Sequence, residues 1–515
     1  MCYVLPTSRA IAVALCFAAT SSAAAQDSTV RAGAATITEH DVRQRIGVIA
    51  DDSMGGRDTP SRGLDLTASY IAGEFARMGL RGPLDSGRFI QRYPVGRTRL
   101  DGDRSSATFT AGTVTVSASA RRDLVYIFGP RTGRPISAPV VIVGGPLQLD
   151  AARTLEIEGR ILIVVGDARA PNATPVNQFL SGAFERNPAA VIMVMNNDTA
   201  TFAKQVTNQF RERGVVDGED ATDPVVTMVH ERVLGGVLRA AGIDLPTFRT
   251  ASTYTVRDLP ALTVRVAMTD AQGDGLSAPN VVGLLEGSDP VLRHEYIVFS
   301  AHMDHVGTRS GAQGDSIWNG ADDDASGTAG VLELAEAFSQ HGARPLRSLL
   351  FVAVSGEEKG LWGSAYFAAN SPVPMSQVVA NINMDMIGRN WRDTIVVIGR
   401  EHSDLGTTLD RVSAEHPELD MRAIDDLWPE ENFYVRSDHY NFARRGVPVL
   451  FFFNGTHKDY HQPSDAPALI DAEKEARILR LVYYLGQALG NAPQRPEWNP
   501  DSYKAIVDKK LQPSP

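Results

Sequence analysis

Cysteine is almost missing from this chain: Cys2 and Cys16 are the only two in 515 residues. A chain with no later thiol builds neither a disulfide framework nor a sulfur-ligated zinc site. Any metal centre beyond residue 16 must therefore use His, Asp and Glu. Basic charge is also short. Fifty Lys and Arg stand against 61 Asp and Glu, a net charge of −11. That argues against a nucleic-acid partner, because phosphate binding needs a basic surface. Long apolar runs are lacking too, so no stable membrane insertion is expected.

The one short apolar run at the start, residues 10–20, follows Arg9 and precedes Ser22-Ala23-Ala24-Ala25. That is the order of a cleavable export signal, so residues 1–25 are expected to be removed and the remainder to be secreted or periplasmic. Leu15 is too bulky before Cys16 for lipoprotein processing.

What is present is apolar material in quantity, 43% of the residues, in a chain too long for one typical domain. From Thr38 to Leu80 apolar residues recur at helical spacing, broken by Met54-Gly55-Gly56-Arg57 and Pro60 into two helices. Residues 124–255 carry short β-rich runs such as Val140–Val143, Ile161–Val165 and Val191–Val194, with short helical patterns between them, and read as an inserted domain. Residues 38–123 and 264–490 then flank it as parts of one domain. In the second part near-continuous apolar strands (Tyr296–Ser300, Leu349–Val354, Val378–Met384, Thr394–Ile398, Val447–Phe453) alternate with helical patterns. Strands of that kind are covered on both faces, so the expected class is α/β, in three layers, with a mixed, mostly parallel sheet. The tail, 491–515, is polar and proline-containing, and is expected to be loosely ordered.

The chemistry-bearing residues fall at or after strand ends, where open α/β sheets place ligands. His302 and Asp304 follow the first strand two residues apart. A carboxylate beside a histidine can fix its tautomer and orient it toward a metal. Asp322, Asp323 and Asp324 are adjacent; three carboxylates repel one another unless something positive sits among them, and a helix cap needs only one. Glu357 and Glu358 follow a deeply apolar strand, so one can bind metal while the other shuttles protons. Asp385 ends an apolar strand, where a carboxylate is costly to bury unless paired or ligated. His461 lies beyond the last strand. This sulfur-free set suits zinc, with manganese or cobalt as alternatives, and its residue types fit two ions sharing a carboxylate.

The series AHMDHVG, NGADDDASG, SGEE, NMDMIG and DYHQPSD resembles the co-catalytic dizinc aminopeptidases, a family that includes glutamate carboxypeptidase. The stretch between the two flanking parts looks like that family's protease-associated insert. The resemblance implies two Zn2+ ions: His302 and Asp385 on one, Glu358 and His461 on the other, and Asp323 bridging. It implies Glu357 as general base, Asp304 as the carboxylate orienting His302, and Tyr460 as a donor to the oxyanion. The implied substrate is a peptide with a free N-terminus.

His305, His439 and His457 are expected to be loop or packing histidines, and Asp322 and Asp324 to shape the loop. Asn172, Asn197 and Asn454 lie in glycosylation-type sequons. Alternatives of neighbouring type are a carboxypeptidase, which would need an arginine such as Arg389, Arg436 or Arg444 to grip a carboxylate, a lid-domain dizinc amidohydrolase, whose insert would follow rather than precede the Glu-Glu motif, and a one-zinc glutaminyl cyclase. A non-enzymatic structural zinc module is disfavoured by the lack of sulfur. Oligomeric state is not legible.

Overall fold

The computed structural model describes residues 28–166, 174–210, 213–215, 224–273, 275–309 and 314–508. The expected signal segment and Asn172 lie outside these residues. The chain divides into two compact units, residues 1–94 with 277–515, and residues 95–276.

The first unit is built on a sheet whose strands include β1 (Leu276–Leu285), β2 (Tyr296–His302), β3 (Ser348–Val354), β4 (Val378–Met384), β5 (Thr394–Ile398), β6 (Arg422–Ile424) and β7 (Val449–Phe452). Their order is β1-β3-β2-β4-β7-β5-β6. The middle four, β3, β2, β4 and β7, are all parallel. β1 joins β3, and β5 joins β7, antiparallel. The central strands are apolar on both sides because each side is covered. Ile297, Phe299 and Ala301 of β2 face one core with Leu349, Phe351 and Ala353 of β3, while Val298, Leu350 and Val352 face the other.

The first core is closed by α1 (Glu39–Ile49), α2 (Arg62–Arg77), α3 (Gly327–Ser339), α5 (Leu405–Glu415) and α6 (Ala472–Asn491), the second by α4 (Trp362–Ala369) and the short helix His439–Ala443. This is the expected three-layer α/β/α arrangement. In the first core Phe299 stacks on Phe351 at 5.7 Å and Phe338 packs on Tyr483 at 4.5 Å. Burial of each such ring contributes roughly 1.5–3 kcal/mol. Local chemistry sets the helix starts: Thr38 caps α1 by accepting the Asp41 N–H, and Ser61 caps α2 by accepting the Leu64 N–H.

The second unit holds a six-stranded sheet whose inner strands, Val140–Gly144, Ile161–Val165, Ala190–Met195 and Val225–His230, run parallel, with antiparallel edges Thr255–Asp258 and Leu124–Phe128. Helices Thr174–Phe184, Thr199–Asn208 and Glu231–Ala240 alternate with these strands, so the unit is more helical than a β-rich insert. It is also wider than 124–255. Ser106–Ala111 pairs with Val114–Ser119 and, across 150 residues of chain, with Leu262–Ala267. The unit thus takes residues 95–123 and 264–276 from the expected peptidase parts.

The tail departs from expectation as well. The Arg347 guanidinium donates to the Gln494 carbonyl, Trp498 donates to the Gly446 carbonyl, and Ile506 is buried, so the chain is docked as far as residue 508. Among the described residues no helix is long and apolar enough to cross a membrane.

Candidate metal centre

The carboxyl ends of the four parallel strands converge on one spot. β2 ends in His302, β3 is followed by Glu357 and Glu358, β4 by Asp385, and the loop after β7 delivers His461. Asp323 reaches the same place from the turn that leads into α3. That turn needs Gly320, which sits at φ 55° against the His305 ring, where a side chain would collide.

Two groups of potential ligands result, one of His302, Asp323 and Asp385, the other of His305, Asp323, Glu358 and His461, and Asp323 belongs to both. His302 Nε2 is 3.3 Å from Asp323 Oδ1 and 3.6 Å from Asp385 Oδ1. His461 Nε2 is 3.1 Å from both Asp323 Oδ2 and Glu358 Oε2. All five residues that the resemblance names as ligands thus meet. His305, which sequence reasoning set aside as a packing residue, joins them: its Nδ1 is 2.8 Å from Glu358 Oε1 and its ring is fully buried.

The supporting contacts are specific. Asp304, also fully buried, lies 3.6 Å from His302 Nδ1 through one oxygen, which also accepts the Glu357 N–H, while its other oxygen accepts the Thr59 hydroxyl. Ser437 donates to Asp385. Asp324 accepts the backbone N–H groups of His302, Gly327 and Met386, and Asp322 accepts that of Gly388 and faces His457, so both shape the loops as expected. Arg57 is wholly buried and donates to the carbonyls of Ile49, Met303, Asn319 and Gly320, tying both ligand loops to the α1–α2 connection. The sequence signalled Arg57 only as part of a helix break. His439 is the packing histidine expected, stacked on Phe451 at 4.4 Å.

Electrostatics follow from this crowding. Burial would lower the His302 pKa, but Asp385, Asp304 and Asp323 outweigh it and hold it well above the usual range. Burial would raise Asp323, but His305, His302 and His461 pull it well below the usual carboxylate range. Burial pushes Glu357 well above that range; His302 opposes this, and Asp438, Asp385 and Glu358 add to it.

Asp323 Oδ2, Glu358 Oε1 and both His305 ring nitrogens are buried without a hydrogen-bond partner. Buried polar atoms left so are costly unless a cation engages them. The imidazole and carboxylate donors, with no sulfur, fit zinc. Glu357 and Tyr460 line the cavity over these groups together with Met386, Phe433, Phe451 and Phe453. The Tyr460 ring stacks on His461 at 3.9 Å. Arg436 lines the cavity, where it pairs with Glu431 at 3.3 Å and lies over the Phe433 ring, while Arg389 is paired with Asp459.

Residues 280–486 match the family model described as Peptidase family M28. Among curated relatives, a probable zinc metalloprotease of Pyricularia oryzae is 28% identical over 42% of this chain and 50% of its own length. The leupeptin-inactivating enzyme 1 of Streptomyces exfoliatus is 30% identical over 40% of this chain and 43% of its own. The chain thus spans half or less of the length of these relatives. Among solved structures, an aminopeptidase from Aneurinibacillus sp. strain AM-1 is 19% identical, with TM-score 0.48, over 91% of this chain and 97% of that one. A zinc aminopeptidase from Bacillus subtilis is 15% identical, also with TM-score 0.48, over 93% and 97%.

Proposed function

With residues 280–486 matching the model of Peptidase family M28, we propose that this chain is a two-zinc exopeptidase that releases residues from the amino end of peptides. The observation that carries the reading is the pair of ligand groups sharing Asp323, with Glu357 on the wall of the same cavity. Zinc bound there supplies Lewis acidity and water of lowered pKa.

The protein's own residues do the rest. Glu357 accepts a proton from the attacking water at its carboxylate and returns it to the leaving amine, a task suited to a carboxylate on the cavity wall. Asp304 meets the His302 ring with its main-chain carbonyl at 3.3 Å and its carboxylate at 3.6 Å, and accepts the Glu357 backbone N–H, so base and ligand keep one geometry. Tyr460 steadies His461 by stacking and presents its hydroxyl as a donor for the oxyanion. The carboxylates of the cavity attract a free α-ammonium group. Its aromatic and methionine walls accept an apolar side chain.

Arg436 supports a second reading, a carboxypeptidase, because its guanidinium borders the cavity and could hold a terminal carboxylate. Amino-acyl anilides and N-blocked dipeptides with a free C-terminus separate the two. Chelator-sensitive release from the anilides supports the aminopeptidase; activity on the blocked dipeptides alone overturns it. The unit 95–276 is read as a protease-associated-type insert on its mixed sheet, and residues 1–25 as an export signal that makes the enzyme secreted or periplasmic.

A further inference from the structure

Two ligand groups of unequal size stand at the centre. The first has three side chains, His302, Asp323 and Asp385; the second has four, His305, Asp323, Glu358 and His461. The extra member, His305, is fully buried, and its Nδ1 lies 2.8 Å from Glu358 Oε1 and 3.6 Å from Asp323 Oδ2. Close as the Glu358 contact is, neither ring nitrogen is engaged in a hydrogen bond. A histidine placed only to orient Glu358 would donate to it. The backbone N–H of His305 donates to the Arg57 carbonyl, which holds the main chain in place, and the His461 ring meets the His305 ring edge-on at 5.5 Å.

We propose that His305 is a fourth protein ligand of the Asp323–Glu358–His461 subsite. The inference rests on the two-zinc reading and adds an asymmetry to it. Four protein donors close a tetrahedral zinc site, whereas three leave a position for water or substrate. The Glu358 subsite is then the tight, saturated one. The His302 subsite is the open one, exchanges its ion first, and is where reactants meet metal. His302 ends β2 and His305 follows three residues later, so a single segment serves both ions.

Zinc titration of the chelator-stripped full chain against a competing chelator tests this. The wild type is expected to bind two ions with separated affinities. His305→Ala is expected to weaken the tighter step by about 100-fold or more, beyond the roughly 10–100-fold that loss of an outer orienting partner costs. A smaller change overturns the proposal. Because a buried substitution can disturb folding, a crystal structure of the zinc-loaded wild type decides independently. His305 Nδ1 at about 2.0–2.1 Å from zinc supports the assignment, and a separation beyond about 3 Å overturns it. A wild type that takes up fewer than two ions sinks the two-zinc reading instead, while the crystal structure still decides whether His305 ligates the ion that remains.

Discussion

The Asp465 carboxylate accepts the backbone N–H of Asp323 at 3.2 Å, and that of Asp322 as well, so the peptide carrying the carboxylate common to both ligand groups is held from behind by a fully buried partner. Burial raises the Asp465 pKa to about 6. Because Asp465 closes the motif that supplies His461, the two metal-binding loops are fastened to each other by this residue. Asp465→Asn keeps the size but loses one acceptor. It is expected to weaken zinc binding by about 10–100-fold with the fold retained, as read by zinc titration and circular dichroism. Unchanged affinity would remove Asp465 from the account.

Asp304 acts through His302. Asp304→Asn should keep the fold and lower zinc affinity at the His302 subsite by about 10–100-fold, with turnover falling in step. Activity at saturating zinc should recover in part, which distinguishes weakened binding from lost chemistry.

Arg57 satisfies four carbonyls from inside the protein. Arg57→Ala leaves them unpaired at a cost of about 1–3 kcal/mol each before relaxation. A loss of several kcal/mol is expected, visible as a large fall in the thermal midpoint together with reduced zinc retention. A stable, zinc-replete variant would show that the loops do not depend on it.

His439 supplies a pH dependence. Burial lowers its pKa to about 3 from an ordinary value of 6.5. Its folded-state pKa lies below its unfolded one, so the unfolded chain takes up the proton first. The stability this group contributes is present above pH 6.5 and is lost as pH falls from 6.5 toward 3, by about 1.4 kcal/mol per pH unit. His439→Phe, stacked on Phe451 in the same place, should flatten the fall of the thermal midpoint between pH 6.5 and 4.5. Chelator-stripped protein is the sample of choice, so that metal loss does not contribute.

Four chemistry-bearing positions stand out locally because each follows a strand that announces itself. Tyr296–Ser300, Leu349–Val354 and Val378–Met384 are apolar without alternation, and His302, Glu357, Glu358 and Asp385 come directly after them. The helices of the first unit were legible for a similar local reason, the Gly55-Gly56 break between two apolar periodicities. Long-range pairings were not legible. Nothing in Ser106–Ala111 says that its partner is Leu262–Ala267, so the unit boundary was misplaced. The tail looked unattached because Trp498 and Ile506 find their partners only in the folded molecule. His305 is the instructive case. A histidine beside a motif carries no local mark of its role, and only the convergence of Asp323, Glu358 and His461 around its ring supplies one.

The central claim is that Glu357 moves the proton while its neighbour Glu358 holds metal. Glu357→Gln, assayed on amino-acyl anilides with zinc content measured on the same sample, tests it most directly. The account predicts two zinc ions per chain as in the wild type, with kcat lower by about 10²–10⁴-fold. Near-normal turnover by the zinc-replete variant would contradict it.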